Sequence, residues 1–244
     1  MGRAEVVLFD LDDTLFDHHG AMADAIRALS DRFPELGQSD ERAWVTDYSQ
    51  LVEELHPRVL AGSLSPFEAR RLRWRRLLAA RQLDPRPELV DGLAAEYGRA
   101  YERYRRPVPG AAALLATLRA RGVRLGIVTN NLVREAADKL ASIGLDEYAG
   151  ALFCSESVGV EKPDPRIFAW AVRELGGSPS SSVMVGDRWE TDVVGSRHAG
   201  LTPVWFNRFG ARPPDPSVAT IPSLEPAGTI ASTVLAATDR ESRR

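Results

Sequence analysis

Acidic side chains recur where apolar runs stop. Val6-Val7-Leu8-Phe9 leads into Asp10-Leu11-Asp12-Asp13-Thr14, and Val183-Met184-Val185 leads into Gly186-Asp187-Arg188, with Asp192 five residues beyond Asp187. Two further apolar runs end near Thr129-Asn130-Asn131 and before Glu161-Lys162-Pro163. Should these ends meet, three or four carboxylates share one crevice with a lysine, a hydroxyl and amides. Carboxylates so crowded repel each other and any phosphate, so the site calls for a cation. A few hard oxygen ligands that leave room for waters suit Mg²⁺ better than Ca²⁺, which takes six to eight oxygens. With the metal and Lys162 in place, an anionic substrate is admissible and a carboxylate can attack phosphorus.

Asp10 and Asp12 stand two apart. If the strand continues through them, both point to one face; if the chain already turns, Asp12 swings to a different task. Either way two acids in unequal surroundings reach one reacting group. Asp10, on the metal, is the expected nucleophile, and Asp12, off it, the expected proton donor.

These ends meet only if the elements carrying them are parallel strands of one sheet. Runs at Glu5–Asp10, Val123–Val128, Ala151–Cys154, Ser182–Val185 and Thr202–Phe206 read as strands, with a last short one at Ala219–Ile221. Helical patterns at Ala111–Ala120, Leu132–Ile143, Pro165–Leu175 and Glu190–Ala199 alternate with them, which predicts an α/β fold with a parallel sheet. One connection is anomalous. More than a hundred residues separate Thr14 from Thr129, whereas a parallel crossover needs on the order of a dozen. The excess reads as helices near 19–33, 40–60, 66–82 and 86–104, broken at Phe33-Pro34, His56-Pro57, Ser65-Pro66 and Asp84-Pro85. The expected division is therefore a core of residues 1–17 and 105–235, a helical insertion of 18–104 placed to act as a lid, and a frayed polar tail of 236–244.

Composition narrows the function classes. Thirty-one basic against 34 acidic residues, a net charge of −3, argue against a partner held by phosphate neutralisation, so no nucleic acid is expected. The single cysteine, Cys154, excludes an internal disulfide, and the four histidines are too scattered for a zinc motif. No window is apolar enough to span a membrane and no signal segment is visible, so a cytoplasmic protein is expected. The sequence says nothing of the oligomeric state.

Taken in order, Asp10-Leu11-Asp12-Asp13-Thr14, Thr129-Asn130, Lys162-Pro163 and Gly186-Asp187 with Asp192 resemble the four motifs of the haloacid dehalogenase-like hydrolase superfamily. The resemblance covers roughly residues 5–17 and 107–222 and implies a Rossmann-like core, with the insertion as a type 1 cap domain. It implies that Asp10 forms an aspartyl-phosphate and that Asp12 protonates the leaving oxygen and then deprotonates the attacking water. Thr129 and the Asn130 amide would hold phosphoryl oxygens, and Lys162 would offset charge. Asp10, the Asp12 carbonyl and Asp187 would bind Mg²⁺, with Asp192 behind them. The dehalogenases that name the family lack the counterpart of Asp12, so the expected substrate is a small soluble phosphate ester, a sugar phosphate or a nucleoside monophosphate. Asp13 with Leu15-Phe16 resembles a branch that includes nucleotidases and acylneuraminate phosphatases. The competing readings are a phosphoglucomutase-like isomerase, a dehalogenase, and a non-catalytic regulatory protein on the same fold.

Elsewhere structural readings prevail. Arg70-Arg71-Leu72-Arg73-Trp74-Arg75-Arg76 reads as a solvated helix face around a buried Leu72/Trp74 stripe. Trp44, Trp74, Trp170 and Trp205 are expected to anchor cores, Cys154 to pack in a strand, Trp189 to be partly exposed, and His18 and His19 to lie at the surface.

Overall fold

The structure, a computed structural model, describes residues 4–37, 40–148 and 151–241. Six parallel strands, β1 (Val6–Phe9), β2 (Arg124–Thr129), β3 (Leu152–Cys154), β4 (Ser182–Gly186), β5 (Thr202–Phe206) and β6 (Ala219–Ile221), form one sheet in the order β3-β2-β1-β4-β5-β6. This is a Rossmann-like α/β core. All four β1 residues are fully buried, as a strand covered on both faces requires, and this is why it reads as a continuous apolar run. Val6 and Leu8 join Val128, Met184, Ile167, Phe168 and Val172 in one cluster; Val7 and Phe9, at alternate positions, face the other way.

The chain divides into two compact units, Met1–Asp17 with Arg106–Arg244, and His18–Arg105. The second unit holds α1 (His18–Ser30), α2 (Glu41–Leu60), α3 (Pro66–Ala80) and α4 (Pro87–Arg103). Ser65 begins α3 with a reciprocal cap: its hydroxyl accepts from the Glu68 amide at 3.2 Å, and the Glu68 carboxylate accepts from the Ser65 amide at 3.0 Å. Pro57 does not split α2, which runs to Leu60. Trp44, Tyr48, Trp74 and Tyr97 form its aromatic centre, with Tyr48 and Tyr97 centroids 4.6 Å apart. The arginine run departs from the sequence expectation. The buried residues of α3 are Ala69, Trp74, Leu77 and Leu78, while Leu72 is only half-buried. Arg70 and Arg73 are half-buried too, laid over the rings of Tyr97 and Tyr48, because a guanidinium retains favourable electrostatics against an aromatic face. His18 shares a 2.6 Å hydrogen bond with Tyr101 rather than standing free at the surface.

In the first unit follow α5 (Ala111–Ala120), α6 (Val133–Ser142), a single turn α7 (Ser155–Val158), α8 (Pro165–Glu174), the short α9 (Gly195–His198) and α10 (Ala227–Glu241). The expected polar tail is a correction. Residues up to Glu241 belong to α10, which packs on α5, β4 and β5 and buries Ile230, Val234, Leu235 and Thr238; residues 242–244 lie outside the described residues. Alanine and threonine dominate this helix, so its apolar face has little contrast in the sequence. Where the insertion leaves and rejoins the core, Val108 N–H donates to the Leu15 carbonyl at 2.8 Å and Arg106 pairs with Asp17 at 2.7 Å.

Candidate active site

In an open parallel sheet the crevice lies beyond the carboxyl ends of the strands where the strand order reverses. Here that point is the β1/β4 pair, with Asp10 just past β1 and Asp187 just past β4. Carboxylate oxygens of Asp10, Asp187 and Asp192 come within 4.8 Å of one another. Lys162 Nζ lies between two of them, 2.5 Å from Asp10 Oδ1 and 2.7 Å from Asp192 Oδ1.

Each of these groups is held by local structure. Lys162 is clamped through its backbone: Asn130 Nδ2 donates to the Lys162 carbonyl at 2.9 Å, and the Lys162 amide donates to Asn130 Oδ1 at 2.7 Å. The Asn130 side chain is thus committed to positioning the lysine. Asp192 sits in a π-helical turn, Trp189–Val194, rather than at the start of an α-helix. Its second oxygen accepts from the Arg188 amide at 2.9 Å. Gly186 permits this approach, because a methyl group there would meet the Asp192 carboxyl carbon at 2.5 Å. Asp187 is fixed by Thr14, whose hydroxyl donates to Oδ1 at 3.2 Å and accepts from the Asp187 amide at 3.1 Å. Trp205 Nε1 donates to the Asp187 carbonyl at 2.8 Å, and the half-buried Trp189 packs edge-on against Trp205.

The two aspartates after β1 part company, because the chain turns. Thr14 and Leu15 amides donate to the Leu11 carbonyl and Asp13 adopts a left-handed φ of 62°, a conformation aspartate tolerates better than most residues. The Asp12 carboxylate therefore points to a different set of groups. Lys139 Nζ lies 2.8 and 2.9 Å from its two oxygens, and Asn131 Nδ2 donates to Oδ2 at 3.0 Å. Thr129 closes β2 and is buried.

The electrostatics follow from burial. Three carboxylates cluster beside one ammonium, which pairs with the two buried ones, Asp10 and Asp192. Burial pushes the Asp10 carboxyl up to about 7, with Lys162 opposing and Asp192 adding. Asp187 is likewise raised by burial and by the charges of Asp10 and Asp192. For Lys162, burial pulls downward but Asp10 and Asp192 outweigh it, so the ammonium stays protonated. The surplus negative charge and the all-oxygen donor set fit a hard divalent cation.

A family model described as haloacid dehalogenase-like hydrolase matches residues 4–200. The chain belongs to the haloacid dehalogenase-like hydrolases. It is 35% identical to the glyceraldehyde 3-phosphate phosphatase of Methanopyrus kandleri over 84% of each chain. It is 39% identical to the phosphoserine phosphatase of Thermus thermophilus, over 64% of this chain and 61% of that one. Among solved structures, the HAD-hydrolase YfnB from Bacillus subtilis bound to magnesium superposes with a TM-score of 0.73 at 25% identity, over 94% of this chain and 99% of that one. The protein is thus an enzyme of a hydrolase family, and the two curated relatives just named are phosphatases. Among its described residues no helix is long and apolar enough to cross a membrane.

The sequence nominated no site role for Asn131, Lys139 or Arg208, offered Thr14 only as part of the first motif, and marked Trp205 only as a core anchor. Arg208 pairs with Asp17 at 2.9 Å and approaches Asp13 at 3.8 Å. The available signal for Lys139 was rarity, since it and Lys162 are the only lysines in the chain.

Proposed function

We propose that this hydrolase is an Mg²⁺-dependent phosphomonoesterase for small phosphate esters that works through an aspartyl-phosphate on Asp10. The observation that carries the reading is the cluster of Asp10, Asp187 and Asp192, with Lys162 paired to the buried Asp10 and Asp192. Asp10, the Asp12 carbonyl and Asp187 would hold Mg²⁺, which supplies charge neutralisation at the phosphoryl oxygens; magnesium in the YfnB structure supports this choice. Asp192 orients Lys162 and, through it, Asp10.

The steps assigned to the chain's own residues are these. An Asp10 carboxylate oxygen forms a bond to phosphorus as the ester P–O bond breaks, and Asp12 transfers its proton to the departing oxygen. Lys162, on the same Asp10 carboxylate, offsets the charge of the incoming phosphoryl group. Thr129 and the Asn130 backbone amide would hold phosphoryl oxygens. In the second half, water bonds to phosphorus as the Asp10–phosphorus bond breaks, and Asp12 takes the water's proton. The names of the relatives favour a small sugar- or amino-acid-type phosphate, and the Escherichia coli pyrimidine 5'-nucleotidase YjjG, 28% identical, keeps a nucleoside monophosphate within range.

The test is phosphate release over a panel of phosphorylated metabolites with Mg²⁺. Release from at least one ester, lost in Asp10→Asn with the fold intact, is the expected result. Isomerised ester without phosphate would replace this reading with a mutase, halide release from 2-haloacids with a dehalogenase, and no turnover of any ester with a non-catalytic role.

A further inference from the structure

The chain's two lysines divide Asp10 and Asp12 between them. Lys162 holds Asp10, and Lys139, in the last turn of α6, holds Asp12. Lys139 is itself buried, with only 2% of its surface exposed. An ammonium withdrawn from water is costly unless its partners replace the lost hydration. Lys139 Nζ finds both Asp12 oxygens, Glu135 at 3.7 Å and the face of the Phe16 ring at 5.4 Å. The Asp12 side chain, by contrast, keeps 31% of its surface exposed. Lys139 and Asn131 thus hold both oxygens of a carboxylate whose side chain is still partly exposed. An ammonium on both oxygens stabilises the anion, the form that is left once a proton has gone to the leaving oxygen and that then takes a proton from water.

We propose that Lys139 is a positioning residue for Asp12, fixing the orientation of its carboxyl group and stabilising the carboxylate left when the proton moves to the leaving oxygen. The inference rests on the assignment of Asp12 as the proton donor. When the Asp10 oxygen–phosphorus bond forms and the ester P–O bond breaks, the proton passes from Asp12 to the departing oxygen, and the new carboxylate faces the Lys139 ammonium. In the hydrolytic half the same carboxylate takes a proton from water as the water oxygen bonds to phosphorus.

Leaving-group dependence separates this role from a merely structural one. p-Nitrophenolate departs without a proton, whereas an alkoxide does not. The experiment measures kcat/KM for p-nitrophenyl phosphate and glycerol 3-phosphate in the full-length enzyme with Mg²⁺, for the wild type and for Lys139→Met, Lys139→Gln and Asp12→Asn, with thermal melting of each. General-acid assistance is worth roughly 10²–10⁴-fold, so loss of its positioning should cost the alkyl ester at least about tenfold more than the aryl ester. Asp12→Asn should show the same skew more strongly, and Lys139→Gln, which keeps a donor without the charge, a smaller one. Equal losses on both esters in either folded Lys139 variant, beside a skew in Asp12→Asn, would overturn the role of Lys139 and leave the phosphatase reading standing. No skew in Asp12→Asn would remove the proton-donor assignment itself, and this inference with it.

Discussion

Gly186→Ala is the most direct probe of how the sheet builds the acidic cluster. Gly186 closes β4, and an added methyl would lie 2.5 Å from Asp192 Cγ, 2.6 Å from its Cβ and closer still to Oδ2. No rotation of a flexible tip relieves this, because Asp192 is buried and its carboxylate is tied to Lys162 Nζ at 2.7 Å and the Arg188 amide at 2.9 Å. The carboxylate must move, and the two charge-assisted hydrogen bonds weaken. Such bonds contribute about 1.5–3 kcal/mol each, and overpacking a tight interior costs about 1–3 kcal/mol. Partial loss of both bonds with partial relaxation puts the cost at about 2–4 kcal/mol. In a chain of this size each kcal/mol shifts Tm by roughly 2–4 °C, so the variant should melt about 4–16 °C lower. Differential scanning calorimetry on wild type and variant, with and without Mg²⁺, reads this directly. A Tm within 2 °C of wild type, beside unchanged phosphate release, would show that Asp192 does not lie against the end of β4 and would undo the positioning argument for Lys162.

Removal of metal has a pH signature. Burial raises the folded-state Asp10 carboxyl to about 7, above its unfolded value, so the metal-free folded state binds more protons than the unfolded chain between about 4 and 7. The contribution of this group to stability is therefore present at low pH and lost as pH rises to about 7, and Mg²⁺ should increase Tm more at pH 7.5 than at pH 5; an Mg²⁺ effect that shrinks over that range would contradict it. Asp187→Ala removes one of the three clustered carboxylates and should raise the Mg²⁺ concentration needed for half-maximal activity by at least tenfold; an unchanged titration counts against Asp187 as a ligand. Cys154 is buried, and burial with the nearby Glu156 charge pushes its thiol up to about 12. At pH 8 it should resist Ellman's reagent in the folded protein and react fully in guanidinium, and rapid labelling without denaturant would show that β3 opens.

The strand ends were legible because their logic is one-dimensional. An apolar run buried on both faces, stopped by an acid and followed by a helix, is a parallel strand with its carboxyl end in the crevice, and this holds wherever it falls in the chain. Asp10, Lys162, Asp187 and Asp192 could be nominated on that ground, and the structure brings their charged groups together. The family was equally legible, since four motifs in order identify it. Helix α10 was not, because a run rich in alanine and threonine has little polar contrast until α5 and the sheet cover it. The arginine run of α3 follows the sequence expectation at the buried Trp74 and the exposed Arg75 and Arg76 but not at Arg70 and Arg73, for a related reason: whether a guanidinium is solvated or laid over a tyrosine depends on a ring supplied by another helix.

What the sequence by itself determined was therefore the order of elements and the kinds of groups at the sheet's carboxyl edge, since periodicity and burial act along a single segment. Tertiary structure alone decided which cation each acid meets. Asp12 and Lys139 are 127 residues apart, Asp10 and Lys162 152 apart. Both lysines follow the first strand at long range, and only the closed turn at Leu11–Phe16 and the placement of α6 direct each ammonium to its own carboxylate.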